Sequence, residues 1–141
     1  MPRRFGVTID CRDPLFLAAF WREVLDYQDH PAPPGYASWA EYAAANGVSA
    51  DDATAGATIV DPTGVGPRIY FQKVPEAKSV KNRVHLDVVV SATQQQWADV
   101  QAAADRVVAA GGRVLRISKD PNDRFIVVVG DPEGNEFCLV E

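Results

Sequence analysis

The sequence predicts an α+β fold in which two βαβββ modules pair into a curved, barrel-like mixed sheet with helices on its convex side. Two observations lead to this prediction. The order strand, helix, strands occurs twice along the 141 residues. An Asp-Pro-x-Gly turn also precedes the last strand of each half, at 61–64 and at 131–134. One such turn is common, whereas two at matching places indicate an internal repeat.

The repeat also sets the expected domain organisation. A module of this kind exposes one sheet face when it stands alone, so we expect the two modules to pair within a single domain. Module one spans 1–74, a connector spans 75–82, and module two spans 83–141. A chain of 141 residues is long enough to bury a core without disulfide or metal staples.

The first module begins with alternating apolar and polar residues, which predict a strand over 4–11. Asp13 and Pro14 then suit the N-cap and first position of a helix whose apolar stripe runs to about Tyr27. A loop rich in proline follows. The remaining elements are that loop over 30–38, a short helix over 39–46 that ends at Gly47, an acidic turn at 51–52, and strands over 56–60 and 68–73.

The second module repeats this order. A strand rich in β-branched residues is predicted over 83–90, and Thr93 is the expected N-cap of a long helix. Gly111 and Gly112 close that helix. Three strands complete the module, over 113–117, 125–129 and 136–140.

Composition and charge limit the possible partners. A net charge of -5 argues against nucleic acid, because phosphate binding requires clustered Lys and Arg. The basic residues Lys73, Lys78, Lys81 and Arg83 are expected to form a solvated connector. No stretch approaches the ~20 apolar residues of a membrane span, and residues 1–5 do not resemble a signal peptide. With only two cysteines, Cys11 and Cys138, each in an apolar run, we expect a protein of the reducing cytoplasm without a membrane partner.

Strand alternation predicts which side chains line the concave face of the sheet. The apolar residues Leu86, Val88, Phe137 and Leu139 should contact the helices, so their neighbours face the other way. This face would gather more polar groups than a dry core tolerates, which indicates a cavity filled by water or a small-molecule ligand. Its predicted lining is Thr8, Asp10, Arg68, Tyr70, Gln72, His85, Asp87, Glu136 and Cys138.

Four segments of the sequence resemble the vicinal oxygen chelate superfamily, which includes glyoxalase I, bleomycin-resistance proteins, fosfomycin-resistance enzymes and extradiol dioxygenases. The segments are DPLFLAAFWREVL at 13–25, DPTGVGPRIYFQKV at 61–74, PEAKSVKNRVHLDV at 75–88 and DPEGNEFCLV at 131–140. The string KNRVHLD at 81–87 is the most specific to the glyoxalase-like branch. The resemblance implies the paired βαβββ fold, a cavity and, by analogy, a homodimer.

The resemblance also implies where a divalent metal would bind in metal-dependent relatives. The four corresponding positions in this sequence are Gly6, Tyr70, His85 and Cys138. Glycine has no ligand atom, tyrosine is a poor ligand for a divalent ion, and cysteine replaces the usual glutamate. Since a metal site normally needs three or four matched protein ligands, we expect no metal and no other cofactor.

Several candidate residues allow both a functional and a structural interpretation. His85 could act as a general acid/base with Asp87 or Glu136, or form a structural pair with Asp87. Glu136 could instead pair only with Arg68, and Cys138 is expected to be an inert thiol. The aromatic residues Tyr36 and Trp39 could form the apolar wall of a ligand site or pack over the sheet edge. The remaining expectations are structural: Trp21 in the core, and Asn82 and Arg83 as ties at the junction.

Three functions remain compatible with these residues. The first, which we favour, is a metal-independent protein that binds a small molecule in the concave cavity. The second is a metal-free lyase or isomerase that uses His85 as its acid/base. The third is a divalent-metal enzyme of glyoxalase or dioxygenase type with a non-standard ligand set that includes His85 and Glu136. A fold shared by many chemistries does not by itself distinguish them.

Overall fold

The computed structural model describes residues 1–90 and 97–141. Its contacts divide the chain into two compact units. One contains Met1–Arg22 and Asp26–Ala77, and the other contains Glu23–Leu25 and Lys78–Glu141. The predicted N-cap Thr93 lies outside the described residues. In the ranges that are described, no helix combines the length and apolarity needed to cross a bilayer.

The first half of the chain forms a four-stranded sheet, called here the first sheet, with strand order β1-β4-β3-β2. Strand β1 runs parallel to β4, and the other pairs are antiparallel. Its elements are β1 (Val7–Cys11), α1 (Pro14–Leu25), β2 (Gln28–Asp29), α2 (Trp39–Ala45), α3 (Ala50–Ala53), β3 (Gly56–Val60) and β4 (Ile69–Lys73).

The second half forms the second sheet, with strand order β5-β8-β7-β6 and again one parallel pair, β5 with β8. Its elements are β5 (Asp87–Val89), α4 (Trp97–Ala109), β6 (Arg113–Lys119), β7 (Phe125–Gly130) and β8 (Glu136–Val140). The order and direction of strands match those of the first sheet position by position. The mixed α+β class and the repeated module topology are therefore as the sequence predicts.

Each sheet has one buried face. In the second sheet, α4 contacts β6, β7 and β8, and the residues Val127, Val129, Phe137 and Leu139 are fully buried. In the first sheet, the corresponding buried residues are Cys11, Ile59, Ile69 and Phe71. Helix α1 buries Leu17, Phe20 and Trp21, so Trp21 belongs to the core as expected. The opposite face of each sheet, called here its open face, carries the alternate residues.

The two Asp-Pro-x-Gly segments form matching turns. In each, the glycine N–H donates to the aspartate carbonyl, at 3.0 Å for Gly64 and 2.9 Å for Gly134. Both glycines have positive φ, at 73° and 89°, a conformation that other residues rarely adopt. The Asp131 carboxylate is fully buried and accepts the backbone N–H groups of Glu133 and Asn135. The two halves of the chain therefore share the hydrogen bond that closes each hairpin turn.

Other boundaries differ from the sequence-based expectations. Strand β1 starts at Val7, whose N–H is the first to bond β4, through the Arg68 carbonyl. Helix α1 ends at Leu25 because Asp26 adopts a left-handed conformation with φ 54°. Strand β5 covers only Asp87–Val89, since the chain bends at 83–84; before this bend the backbone N–H of Asn82 bonds the Glu136 side chain of β8. Strand β2 and helix α3 were not predicted, since two and four residues are too short for a periodic signal.

Strand β6 forms one edge of the second sheet and is exposed along most of its length. Its pairing with β7 is irregular between Val114 and Arg116, where Leu115 is the additional residue of a β-bulge. The bulge restores Arg116 to the open face, in register with Val128. Consequently β6 places cationic side chains beside the open face of this sheet.

We expect Asp131→Ala to lower the free energy of unfolding by about 2–3 kcal/mol, because buried N–H donors would lose their acceptor. Asp61→Ala removes the same kind of turn contact at a more exposed position and should cost less. Urea unfolding at neutral pH measures both values. A loss in Asp61→Ala as large as that in Asp131→Ala would contradict the role assigned to burial.

Candidate functional site

The open face of the first sheet carries four of the predicted ligand-binding residues. Strand register pairs Thr8 with Tyr70 and Asp10 with Gln72, so all four side chains lie on one face. The buried residues Ile69 and Phe71 alternate with Tyr70 and Gln72 on β4, which fixes this orientation. The face is polar, and Thr8, Asp10 and Gln72 are exposed. Arg68 lies just before β4 and is also exposed.

A glycine determines the position of the Tyr70 ring. A Cβ atom at Gly56 would collide with the hydroxyl and ring atoms of Tyr70, so the ring occupies the space that a side chain would fill. Gly56 pairs with Gln72, and Tyr70 pairs with Thr58 on the same strand. The phenol is therefore laid across β3, where its hydroxyl is available on a half-buried part of the open face.

The predicted ligand-contacting residues Tyr36 and Trp39 belong to an aromatic cluster, defined here as His30, Tyr36, Trp39 and Tyr42. Tyr42 makes edge-to-face contacts with Tyr36 at 5.1 Å and with Trp39 at 5.6 Å between ring centroids. The Trp39 indole N–H donates to the His30 carbonyl at 2.8 Å, and the His30 N–H donates to the Thr58 carbonyl. These bonds attach the aromatic cluster to β3, while Trp39 remains 48% exposed.

On the second sheet, Asp87 and Cys138 form a pair across the parallel strands β5 and β8. The Cys138 thiol donates a hydrogen bond to the Asp87 carboxylate. Burial raises the pKa of the Cys138 thiol, and the charge and hydrogen bond of Asp87 raise it further, against smaller opposing effects of Lys81 and Arg116. The thiol therefore stays protonated at neutral pH, as expected for an inert cysteine.

Glu136 is bound on both carboxylate oxygens. The Asn82 backbone N–H donates at 3.0 Å, and the Lys78 ammonium lies 3.0 Å from the same oxygen and 3.1 Å from the other. The Asn82 bond, followed by the smaller effect of Lys78, lowers the pKa of Glu136 from 4.5 to about 2 despite opposing desolvation. Glu136 is therefore ionised at neutral pH and holds the connector onto the start of β8.

This arrangement corrects one expectation and supports another. The expectation of a solvated connector is wrong at Lys78, whose side chain is only 20% exposed and also donates to the Val80 carbonyl, whereas Lys73, Lys81 and Arg83 are exposed. Within its own unit Glu136 pairs with Lys78, a partner that the sequence did not suggest. Asn82 acts as the structural tie that was predicted.

His85 lies before β5, just after a bend at 83–84, and its side chain is exposed. Its Nε2 atom lies 2.7 Å from the Asn82 carbonyl oxygen and 2.8 Å from the Lys81 ammonium. One nitrogen cannot donate to a carbonyl and accept from an ammonium at once, so the tautomer selects one of the two bonds. The hydrogen bonds of the His85 ring among the described residues are with Asn82 and Lys81, and the predicted pair with Asp87 is not one of them.

Sequence reasoning missed several members of these groups. Tyr42 follows Trp39 at helical spacing, which could have indicated a shared face of α2. Arg116 has the alternation of a strand residue, but the bulge in β6 hides its register. Lys81 and His30 give no local signal, because their contacts depend on bends in the chain.

The residues present do not fit a divalent metal. Among residues 1–90 and 97–141, no three His, Cys, Asp or Glu side chains are grouped as metal ligands would be. Gly6 offers no ligand atom, and the Cys138 thiol is protonated. The carboxylate of Glu136 is occupied by Lys78 and Asn82. A metal would have to displace these partners before it could bind.

We expect Glu136→Gln to flatten the acid limb of the stability profile. The folded-state pKa of Glu136 is lowered, so its contribution is complete above 4.5 and is lost as the pH falls toward about 2. Urea unfolding at several pH values in this window measures the effect, with Glu76→Gln in the exposed connector as the matched control. Identical slopes for the wild type and Glu136→Gln would contradict the assignment.

We expect Asp87→Asn to accelerate alkylation of Cys138 several-fold near neutral pH, because removing the carboxylate lowers the pKa of the thiol. The rate is measured with iodoacetamide and assigned to Cys138 by peptide mass spectrometry. Asp10→Asn, on the open face of the first sheet, is the control. An unchanged rate would show that Asp87 does not control the thiol.

The sequence matches a family of known proteins over nearly its whole length. The family model of the glyoxalase-like domain matches residues 6–140. No curated protein sequence matches the chain significantly.

Solved structures share the fold at low sequence identity. A glyoxalase/bleomycin resistance protein/dioxygenase family enzyme from Burkholderia phytofirmans superposes with a TM-score of 0.65 at 16% identity, covering 96% of this chain and 94% of that chain. The fosfomycin resistance protein FosX from Mesorhizobium loti superposes with a TM-score of 0.63 at 13% identity, covering 99% of this chain and 92% of that chain. A mutant of FosX from Listeria monocytogenes, in complex with Mn(II) and 1S,2S-dihydroxypropylphosphonic acid, superposes with a TM-score of 0.66 at 11% identity. It covers 99% of this chain and 90% of that chain. Together with the family match, these similarities show that the chain belongs to the glyoxalase-like domain family of the vicinal oxygen chelate superfamily.

Proposed function

We propose that this protein binds a small molecule on its open sheet faces without a catalytic metal. The observation that carries the proposal is the state of the ionisable groups in the second half of the chain. Glu136 is held by Lys78 and Asn82, and Asp87 accepts the hydrogen bond of Cys138. These contacts leave a polar surface, and a metal ion or a substrate proton would have to compete with them for the two carboxylates.

The first half of the chain supports the same proposal. Tyr70 and Thr58 offer hydroxyl groups on the open face, and Gln72 adds an amide beside Asp10. The aromatic cluster adds an apolar surface that is attached to β3 through His30, and Trp39 is the more exposed of the two predicted contact residues. Flat apolar groups with a few fixed polar groups are typical of small-molecule sites.

The two enzymatic alternatives receive less support. Among the described residues, the His85 ring contacts a carbonyl and an ammonium, so no carboxylate is placed to raise its basicity for an acid/base role. A Glu136 pKa of about 2 makes this carboxylate a weak base. The Listeria relative is a complex with Mn(II), whereas here the Glu136 carboxylate is paired with Lys78. A homodimer, inferred from the family, is proposed together with cytoplasmic location.

The proposal is tested by metal analysis and ligand screening of the same preparation. After equilibration with manganese, iron, nickel and zinc, we expect mass spectrometry to find no metal above background. A thermal-shift screen of metabolites and drugs should then give compounds that bind saturably without turnover.

For such a compound, we expect Trp39→Ala to weaken binding by about 10-fold, because an exposed aromatic contact surface is lost. Calorimetry measures the affinity, and Leu15→Ala, which removes another exposed apolar side chain, is the matched control. Stoichiometric metal that disappears in His85→Ala would overturn the proposal and favour a metalloenzyme. Turnover that disappears in His85→Ala without metal would favour the lyase or isomerase.

A further inference from the structure

The open face of the second sheet is divided into an apolar part and a cationic part. Strand register places Val89, Val140 and Ile126 in one row across β5, β8 and β7. The adjacent row contains Asp87, Cys138, Val128 and, across the bulge, Arg116. The buried residues Val127 and Leu139 point to the opposite face, so the side chains of both rows face away from α4. An apolar row therefore lies next to a row that ends in a guanidinium.

The cations of this face exceed its carboxylates. Glu136 is neutralised by Lys78. Asp87 is then the one remaining carboxylate in these rows, and it stands three strand spacings, about 14 Å, from Arg116 along the row. Within the described ranges, Arg116 forms no ion pair with a carboxylate. Lys81 contacts the His85 ring rather than an acid.

A second arginine extends this cationic edge. Arg113 pairs with Gly130, and its side chain lies across that glycine, within 3.5 Å of where a Cβ would stand. Its guanidinium reaches Gly134, again 3.5 Å from a Cβ position. Arg113 and Arg116 therefore both lie at the β6 edge of this face, beside Gly130 and Val128 of β7. In a chain with a net charge of -5, this local excess of cations is opposite to the average composition.

We propose that the open face of the second sheet binds an organic anion, with a carboxylate or phosphate group bound by Arg116 and an apolar body packed on Ile126, Val128 and Val140. The inference rests on the proposed small-molecule function and specifies the chemical class of the ligand. Guanidinium and ammonium groups form charge-assisted hydrogen bonds with such oxyanions, and an adjacent apolar row favours an attached hydrocarbon group. Arg116, which forms no ion pair in the described part of the chain, attracts the anion, and Glu136 repels it only weakly because Lys78 neutralises its charge.

The test uses the full chain and four probes: phenylacetate, phenyl phosphate, neutral phenylacetamide and acetate. Binding is followed by amide chemical shifts of Asp87, Val128 and Cys138 during NMR titration. We expect phenylacetate or phenyl phosphate to bind about 10-fold more tightly than phenylacetamide, with the better of the two identifying the oxyanion. Acetate should bind more weakly than phenylacetate, because it lacks the apolar body. Raising the salt concentration should weaken the two anionic aromatic probes selectively.

Arg116→Gln should abolish the preference for the acid over the amide, and Arg116→Lys should retain part of it. Arg124→Gln is the matched control, since Arg124 pairs with Asp120 in the β6–β7 turn, outside the two rows. A preserved spectrum of Arg116→Gln shows that the variant is folded. Equal affinity for phenylacetate and phenylacetamide, or equal losses in Arg116→Gln and Arg124→Gln, would overturn the anion inference while small-molecule binding stands. If no probe and no screened compound binds at all, both the inference and the proposed function fail.

Discussion

Burial of a single face of each sheet is the constraint on which the rest of the molecule depends. Alternation then assigns every second strand residue to that face, as Phe137 and Leu139 illustrate on β8. The residues between them must occupy the other face, whatever their chemistry. Polar groups therefore accumulate there because the hydrophobic pattern leaves them no other position. The same logic operates in both halves, since the strand orders are identical.

The polar groups placed on the open faces satisfy one another to different degrees. Glu136 obtains a backbone donor and an ammonium, and Asp87 obtains a thiol proton. Such contacts offset the cost of holding charge near a protein surface, and they also suppress the reactivity that the same residues would show in isolation. Within the part of the chain that the structure describes, the arginines of β6 form no such ion pair. The groups on this face that are available to bind a ligand are therefore its cations. The acids and the histidine, which are the more obvious candidates from the sequence, are already bound to other protein groups.

Local signals made much of the fold predictable. Asp13 with Pro14 predicts the start of α1, and its carboxylate does cap the Phe16 N–H. The repeated turns predict both hairpins, and alternation predicts that Thr8, Tyr70 and Cys138 leave the buried face. The failures concern contacts set by tertiary structure. Nothing near Glu136 in the sequence predicts a bond from Asn82, which lies 54 residues away. That bond joins the segment before β5 to β8, and the His85 ring contacts the same segment at the Asn82 carbonyl and the Lys81 ammonium.

Two glycines determine how polar side chains lie on the open faces of the two sheets. Gly56 makes room for the Tyr70 ring, and Gly130 lies beneath the side chain of Arg113. In both cases the glycine lies on the strand next to that of the larger residue, whose side chain fills the space above the glycine. A polar group on the surface is thereby laid flat against the sheet instead of extending into solvent.

The bulged edge strand β6 also affects how copies of the chain meet one another. Two β6 strands aligned antiparallel about Arg116 would place Arg116 opposite Arg116 and Arg113 opposite Lys119. Like charges directly opposite one another destabilise such a pair, and the bulge at Leu115 interrupts its hydrogen-bond ladder. Leu115 and Ile117 are exposed on this strand, at 45% and 54%, and would otherwise favour open-ended strand addition. The edge is thus protected against aggregation by the same cations that distinguish the open face.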